Sequence, residues 1–322
     1  MSAAPPSSVI HVMAGVLVDP AGRVLLAQRP AGKHLAGTWE FPGGKLEPGE
    51  TAEAGLAREL LEELGIAIGP AEPLTRVPWA YGEKRLLLDA WLLRQWEREP
   101  LPLEHEALQW ADPQAVDLAQ LAPADRAILQ ALRLPPHYPI TPADLPPEAF
   151  DACAGMLRDA LARGERLLQL RLPLWPHARL RELAAALLPE ASSRGAQLLL
   201  NGDVEGARAL GPGIGVQLKA SQLDAWTARP LPWNQPVGAS CHDAGELARA
   251  LGAGADFATL SPVAVTATHP DIAAMGWPAF AALAEAAALP VYALGGMSAA
   301  DMERARAAGG QGVAGIRGFW NR

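Results

Sequence analysis

Short apolar runs of strand length alternate with Ala- and Leu-rich stretches of helical period along the whole chain. Residues 10–19 and 23–29 read as two strands around the turn Asp19-Pro20-Ala21-Gly22. Residues 39–41 make a short strand, 74–78 and 85–93 make two more around Ala80-Tyr81-Gly82-Glu83, and 108–110 make a last one. After Thr51 the apolar Ala54, Leu56, Leu60, Leu61 and Leu64 recur with a helical period, and Gly65 stands where a C′ glycine ends a helix. Ala122-Pro123-Ala124-Asp125 reads as the cap of a second helix over 126–132. Residues 133–147 then hold six prolines, which interrupt helices on both sides and set a boundary near 134. This divides the chain into a unit at 1–133, a Pro-rich linker with the first strand of the next unit at 134–147, and a second unit at 148–322.

In the second unit, apolar runs at 138–141, 167–172, 197–200, 213–217, 236–239, 257–260, 291–294 and 311–314 are separated by helix-like or connecting sequence. Eight βα units of this size predict a compact (β/α)8 TIM barrel with its site at the C-terminal strand ends.

At 322 residues the chain has room for two domains that each bury a core. No apolar run approaches a membrane span. Residues 1–8 lack the basic start and apolar centre of a signal peptide, and Cys153 and Cys241 form neither a metal pattern nor a disulfide framework. A cytoplasmic protein is expected. The net charge of −8 argues against a nucleic-acid polymer as partner, because such binding needs clustered Lys and Arg.

The densest chemistry lies between Trp39 and Ile66. Pro42-Gly43-Gly44 is a turn whose glycines let backbone approach a ligand. On the following helix Glu59, Glu62 and Glu63 stand at i, i+3 and i+4, so three carboxylates crowd together and call for a positive charge. Arg58 offers part of it. Mg²⁺, with Mn²⁺ as substitute, fits the rest, since it binds through a few carboxylates and leaves sites for water and phosphate.

Gly44, five residues, Glu50, seven residues and then Arg58-Glu59-Leu60-Leu61-Glu62-Glu63-Leu64-Gly65-Ile66 resemble the complete Nudix box. The resemblance implies an α/β/α sandwich, and from Arg29 to Ile66 it narrows to the MutT type, which hydrolyses 8-oxo-dGTP to the monophosphate and pyrophosphate. It implies metal ligation by Glu59, Glu62, Glu63 and the Gly44 carbonyl, with Glu59 or Glu104 taking the proton of the attacking water. Glu104 is the expected carboxylate from outside the helix, with Glu106 its competitor. Glu50 and Arg58 would orient the helix carboxylates. Arg29 would meet phosphate or the base edge, Lys45 would meet phosphate, and His34, Glu40 and Phe41 would border the base. Asp125 stands where this type usually carries Asn. An ionised Asp only accepts hydrogen bonds, whereas a protonated one also donates. Other nucleoside diphosphate derivatives are the alternative substrates.

In the second unit Leu168-Gln169-Leu170-Arg171, Leu200-Asn201, Gly238-Ala239-Ser240-Cys241-His242, Ser261-Pro262 with Thr266-Ala267-Thr268, and Leu294-Gly295-Gly296-Met297 resemble the thiamine phosphate synthase and TenI group. Gly295 and Gly296 with Gly315-Ile316-Arg317 would form its phosphate site. The chain departs from that pattern at Gly202, at Ser221-Gln222, at His269 and at Pro173, where the group has carboxylates and lysines. The departures point away from synthesis and toward a thiazole or thiamine phosphate ligand. Asn201, Ser240 and His242 are then candidate site residues, with His242 as acid/base of a tautomerase. The alternative is a ligand-sensing or dimerising barrel, and the oligomeric state stays open.

Overall fold

The structure, a computed structural model, describes residues 9–265 and 273–320. The chain forms two compact units, Met1–Arg133 and Leu134–Arg322.

The first unit contains strands β1 (Ile10–Leu17), β2 (Val24–Gln28), β3 (Trp39–Glu40), β4 (Ala67–Ile68), β5 (Ala71–Tyr81), β6 (Lys84–Leu93), β7 (Trp96–Glu97) and β8 (Ala107–Ala111). Its helices are α1 (Ala52–Leu64) and α2 (Asp125–Arg133). β6 runs between β1, its parallel neighbour, and β5, its antiparallel one, while β2 pairs with β3 and β8 in a second sheet. α1 begins at Thr51, whose hydroxyl accepts the Ala54 N–H, and stops at Gly65 in the left-handed conformation. Its Leu56, Leu60 and Leu64 are fully buried with Met13, Leu17, Leu25 and Trp91. One face of α1 is thus anchored in the core, and the face that carries the glutamates is left for chemistry.

Two local expectations change. β5 continues through Tyr81, so the β5–β6 connection shrinks to Gly82 and Glu83 and Tyr81 becomes a strand residue. Asp125 does not cap α2. It occupies the first turn of that helix, and its carboxylate crosses to the end of β3, where it accepts the Phe41 N–H.

In the second unit β9 (His137–Pro139), β10 (Leu167–Leu170), β11 (Gln197–Asn201), β12 (Ile214–Leu218), β13 (Val237–Cys241), β14 (Phe257–Leu260), β15 (Val291–Ala293) and β16 (Gly312–Gly315) pair in parallel. β16 returns to β9, and the Ile140–Gln169 bridge joins β9 to β10, so the ring closes. Closure leaves no open sheet edge. Tyr138, Phe257 and Tyr292 meet inside the barrel at tilted or edge-on angles, with Leu167 and Leu199 around them.

The connecting helices are α3 (Phe150–Ala162), α4 (His177–Ser193), α5 (Val204–Leu210), α6 (Ala244–Gly252), α7 (Gly276–Glu285) and α8 (Met302–Ala307). The eight βα units expected from the sequence are not all realised. The β12–β13 connection is a short 3₁₀ stretch, Ala220–Ala225, and no α-helix follows β16 among the described residues. Cys153 and Cys241 are buried free thiols. No described helix is long and apolar enough to cross a membrane.

Arg229 and Asp256 form a buried ion pair beside the barrel wall, and Asp256 also accepts the Val237 N–H that opens β13. Removing one partner leaves an uncompensated buried charge. Asp256→Ala is therefore expected to lower stability by about 3–5 kcal/mol, read as a drop in urea midpoint with faster amide exchange in β13.

Candidate active site

The loop between β3 and α1 is tied along β1. The Met13 N–H donates to the Gly44 carbonyl (2.7 Å), the Gly15 N–H to the Pro42 carbonyl (2.8 Å), and the Leu46 N–H to the His11 carbonyl (2.9 Å). Gly43 has φ +142°, and a Cβ there would lie 2.2 Å from the Met13 carbonyl oxygen. A Cβ on Gly44 would lie 2.1 Å from a Glu59 carboxylate oxygen. Only glycine at both positions lets the loop pass between β1 and the α1 carboxylates.

Arg58 lies among those carboxylates. It donates to both Glu50 oxygens (2.8 and 3.0 Å), to Glu59 (2.8 Å) and to the Lys45 carbonyl (3.0 Å). The Arg58 bonds, with the Glu47 N–H, hold the Glu50 carboxyl down at about 2. Glu62 points outward at 53% side-chain exposure and reaches Arg58 only at 3.4 Å. Glu59 and Glu63 turn inward, each at 14%. Glu63 accepts the Gly43 N–H (2.8 Å), and burial pushes its carboxyl up to about 7, with His105 and that N–H opposing and Glu40 and Glu59 adding.

The residues fit a hard divalent cation by their chemistry. Glu59 and Glu63 bring oxygen donors to either side of the Gly43–Gly44 backbone, and the raised Glu63 carboxyl marks a place short of positive charge. The set is not preassembled: among the described residues no group of three or more His, Cys, Asp or Glu side chains is placed to hold a metal ion. The Gly44 carbonyl already accepts one hydrogen bond, and Glu104 and Glu106 are exposed rather than drawn in among the helix carboxylates.

The residue between them is the one the sequence reading passed over. His105 is buried, its side chain 4% exposed, with Nε2 at 3.7 Å from both Glu40 and Glu63. Its Nδ1 is buried without a hydrogen-bond partner among the described residues. Burial alone would lower its pKa, but the Glu40, Glu63 and Glu104 carboxylates outweigh it and hold the imidazole above its usual range. Alternation in Glu104-His105-Glu106, which leads into β8, was the available signal: if the two glutamates face solvent, the histidine faces in.

Arg29 pairs with Glu40 and donates to the His34 carbonyl (2.7 Å), so it clasps the loop after β2. The His34 ring meets Tyr81 edge-on at 5.0 Å. Phe41 is buried, and its N–H donates to Asp125 (2.8 Å). Asp125 is itself buried; burial first, then the Glu40 charge, pushes its carboxyl up to about 8 against the pull of Phe41 N–H and Arg29. Lys45 is exposed.

In the barrel, Asn201, Ser240, His242, Gly295 and Gly296 all line one pocket of about 790 Å³ at the C-terminal strand ends. Glu246 accepts both the His242 N–H (2.7 Å) and a hydrogen bond from His242 Nδ1 (2.8 Å), and among the described residues Nε2 has no hydrogen-bond partner. Below the pocket, Gln169 donates to the Tyr138 hydroxyl (3.0 Å), which donates to Gln217 (2.9 Å), which donates to Ser240 (3.1 Å). Thr266, Thr268 and His269 lie outside the described residues.

Comparison with known proteins agrees with this division. Residues 13–131 match the NUDIX domain family, and residues 137–319 match the thiamine monophosphate synthase family. An 8-oxo-dGTP diphosphatase of Haemophilus influenzae is 36% identical over 124 residues, 38% of this chain and 91% of that protein. A CTP pyrophosphohydrolase of Escherichia coli is 39% identical over 123 residues, 38% of this chain and 90% of that protein. A putative thiamine-phosphate synthase of Geobacter sulfurreducens is 40% identical over 164 residues, 49% of this chain and 75% of that protein. The chain is therefore a Nudix hydrolase through its first unit and belongs to the thiamine monophosphate synthase family through its barrel.

Proposed function

We propose that the first unit is a Mg²⁺-dependent nucleoside triphosphate pyrophosphatase that hydrolyses 8-oxo-dGTP to the monophosphate and pyrophosphate. The observation that carries the reading is the glycine loop lying directly on the inward carboxylates of α1. Glu59, Glu63 and the Gly44 carbonyl would hold the ion, and Glu62 would join them by a side-chain rotation. Bound there, Mg²⁺ (or Mn²⁺) supplies neutralisation of the triphosphate and a more acidic water. Glu59 takes the water's proton in preference to Glu104, because Arg58 tethers it beside Gly44 whereas no hydrogen bond holds Glu104 among the described residues. Glu50 keeps Arg58 in position. Glu59→Gln is expected to lower kcat/KM by about 10²–10⁴-fold, measured as pyrophosphate release with 8-oxo-dGTP and with dGTP. No release from either by the unaltered protein with Mg²⁺ would end this reading.

Asp125 governs the base. Held protonated by burial, its hydroxyl donates while the other oxygen accepts, as the amide of Asn would. Its folded pKa lies above its unfolded value, so the stability it contributes is whole below about pH 4 and is lost as pH rises through about 8. Ionisation also removes the donor. The preference for 8-oxo-dGTP over dGTP is expected to fall as pH rises through about 8 and to stay level in Asp125→Asn, where the stability difference between the two proteins also changes by at most about 1.4 kcal/mol per pH unit. A parallel pH profile in the two proteins would remove Asp125 from base recognition.

A second substrate reading is favoured by the same residue and by the likeness to a CTP pyrophosphohydrolase. A protonated Asp125 accepts from the N4 amine of cytosine and donates to N3. Equal or higher kcat/KM on CTP than on 8-oxo-dGTP would select it.

For the barrel we propose a thiazole or thiamine phosphate ligand without synthase activity. Support comes from Asn201, Ser240, His242, Gly295 and Gly296 lining one pocket, and from the missing metal carboxylates. His242 Nε2, with Nδ1 held by Glu246, can move a proton on such a ligand. Incubation with thiazole phosphate and the pyrimidine pyrophosphate is expected to form no thiamine phosphate; formation of it would restore a synthase.

A further inference from the structure

The pocket of the barrel contains an unusual selection of charges. Its lining includes Arg171, Lys219 and Arg317 but, among the described residues, no Asp or Glu, in a chain of net charge −8. None of the three cations is ion-paired among the described residues. The carboxylates near the same strand ends are committed elsewhere. Asp203 accepts two bonds from Arg181 (both 2.7 Å) and one from the Gly206 N–H (3.0 Å) at the start of α5. Glu246 stands behind His242, bound to its backbone and its ring. A divalent cation that bridges a phosphorylated ligand needs oxygen ligands from the protein, and the described pocket offers it no carboxylate. The metal implied for a synthase of this family does not fit.

A built-in cation stands in the same corner. Gly202, where the family pattern has an acidic residue, adopts φ +75°, and a Cβ there would lie 2.7 Å from Lys219 Cε. The aliphatic stem of Lys219 therefore lies across Gly202, and a side chain at that position would push it away. Gln222 fixes the arrangement from beneath: it accepts the Lys219 N–H (3.0 Å) and donates to the Gly202 carbonyl (3.0 Å), joining the end of β11 to the turn after β12. Absence of a side chain at 202 and presence of lysine at 219 form one device. An ammonium held this way is a compact point charge that attracts an anion without any coordination shell.

We propose that the Lys219 corner binds an anionic group of a phosphorylated ligand directly, with no divalent cation. The inference rests on the reading of the barrel as a phosphate-ester site and names what the far end of that ligand carries. In the ring of eight strands β12 stands four places from β16, so Lys219 faces the Gly295–Gly296 and Arg317 corner across the mouth. The ligand then has a phosphate at the glycine end and a second anion at the lysine end.

Fructose 6-phosphate and fructose 1,6-bisphosphate serve as probes that differ by one anion. Calorimetric titration of the full chain in EDTA is expected to give binding of both, with the bisphosphate at least tenfold tighter. Lys219→Ala and Gly202→Asp are each expected to remove that gain and to leave the monophosphate affinity within twofold. Lys219→Arg is expected to keep most of it, which separates loss of charge from loss of fold. Glu59→Gln is expected to leave both affinities unchanged, which assigns binding to the barrel. A gain that appears only with Mg²⁺, that survives Lys219→Ala, or that moves with Glu59→Gln overturns the proposal while leaving the monophosphate site standing. Failure of the monophosphate to bind overturns the phosphate-ester reading and this inference with it.

Discussion

The first unit depends on the placement of one guanidinium. Three glutamates within five residues of one helix repel one another, and without a cation among them the face they share would be a cost to α1. Arg58 supplies it by spreading planar donors over Glu50, Glu59 and the Lys45 carbonyl, a geometry that lysine cannot reproduce. In doing so it fastens the glycine loop to the helix at the same place where β1 fastens it from the other side. The loop is therefore pinned twice before any ligand arrives.

Next to that clasp runs a second, partly buried line of ionisable groups. Glu63, His105, Glu40 and Arg29 stand in succession from the helix to the loop after β2, and Asp125 lies close enough to feel Glu40. Burial lifts Glu63 and Asp125 out of the usual carboxylate range, while the Glu40, Glu63 and Glu104 carboxylates raise the His105 imidazole against its own burial. Glu63 and Asp125 are therefore linked electrostatically through His105 and Glu40, because each feels the Glu40 charge and Glu63 also feels His105.

The barrel solves a charge problem in the opposite sense. Among the described residues Asp203 is held by Arg181 and Glu246 by His242, while Arg171, Lys219 and Arg317 line the pocket. The hydrogen-bonded chain from Gln169 through Tyr138 and Gln217 to Ser240 crosses the barrel interior below, so the buried Tyr138 hydroxyl both accepts and donates. Both units thus belong to known families.

The sequence by itself determined what local rules encode. The span of α1 follows from Thr51, the leucine period and Gly65, and the eight barrel strands follow from apolar runs between helical stretches, because periodicity and caps act over a few residues. The Nudix positions were legible for the same reason, lying within one short stretch. Tertiary structure alone decided which way each side chain turned. Glu62 faces solvent while Glu59 and Glu63 face in, Arg29 is spent on Glu40, and Asp125 leaves its own helix to bind Phe41. His105 became a site residue because Glu40 and Glu63, far from it in sequence, converge on its ring. The same holds for Lys219 and Gly202, seventeen positions apart, where a missing side chain on one strand end makes room for a cation from the next. Such contacts depend on burial and long-range approach, and neither is encoded within a single window of sequence.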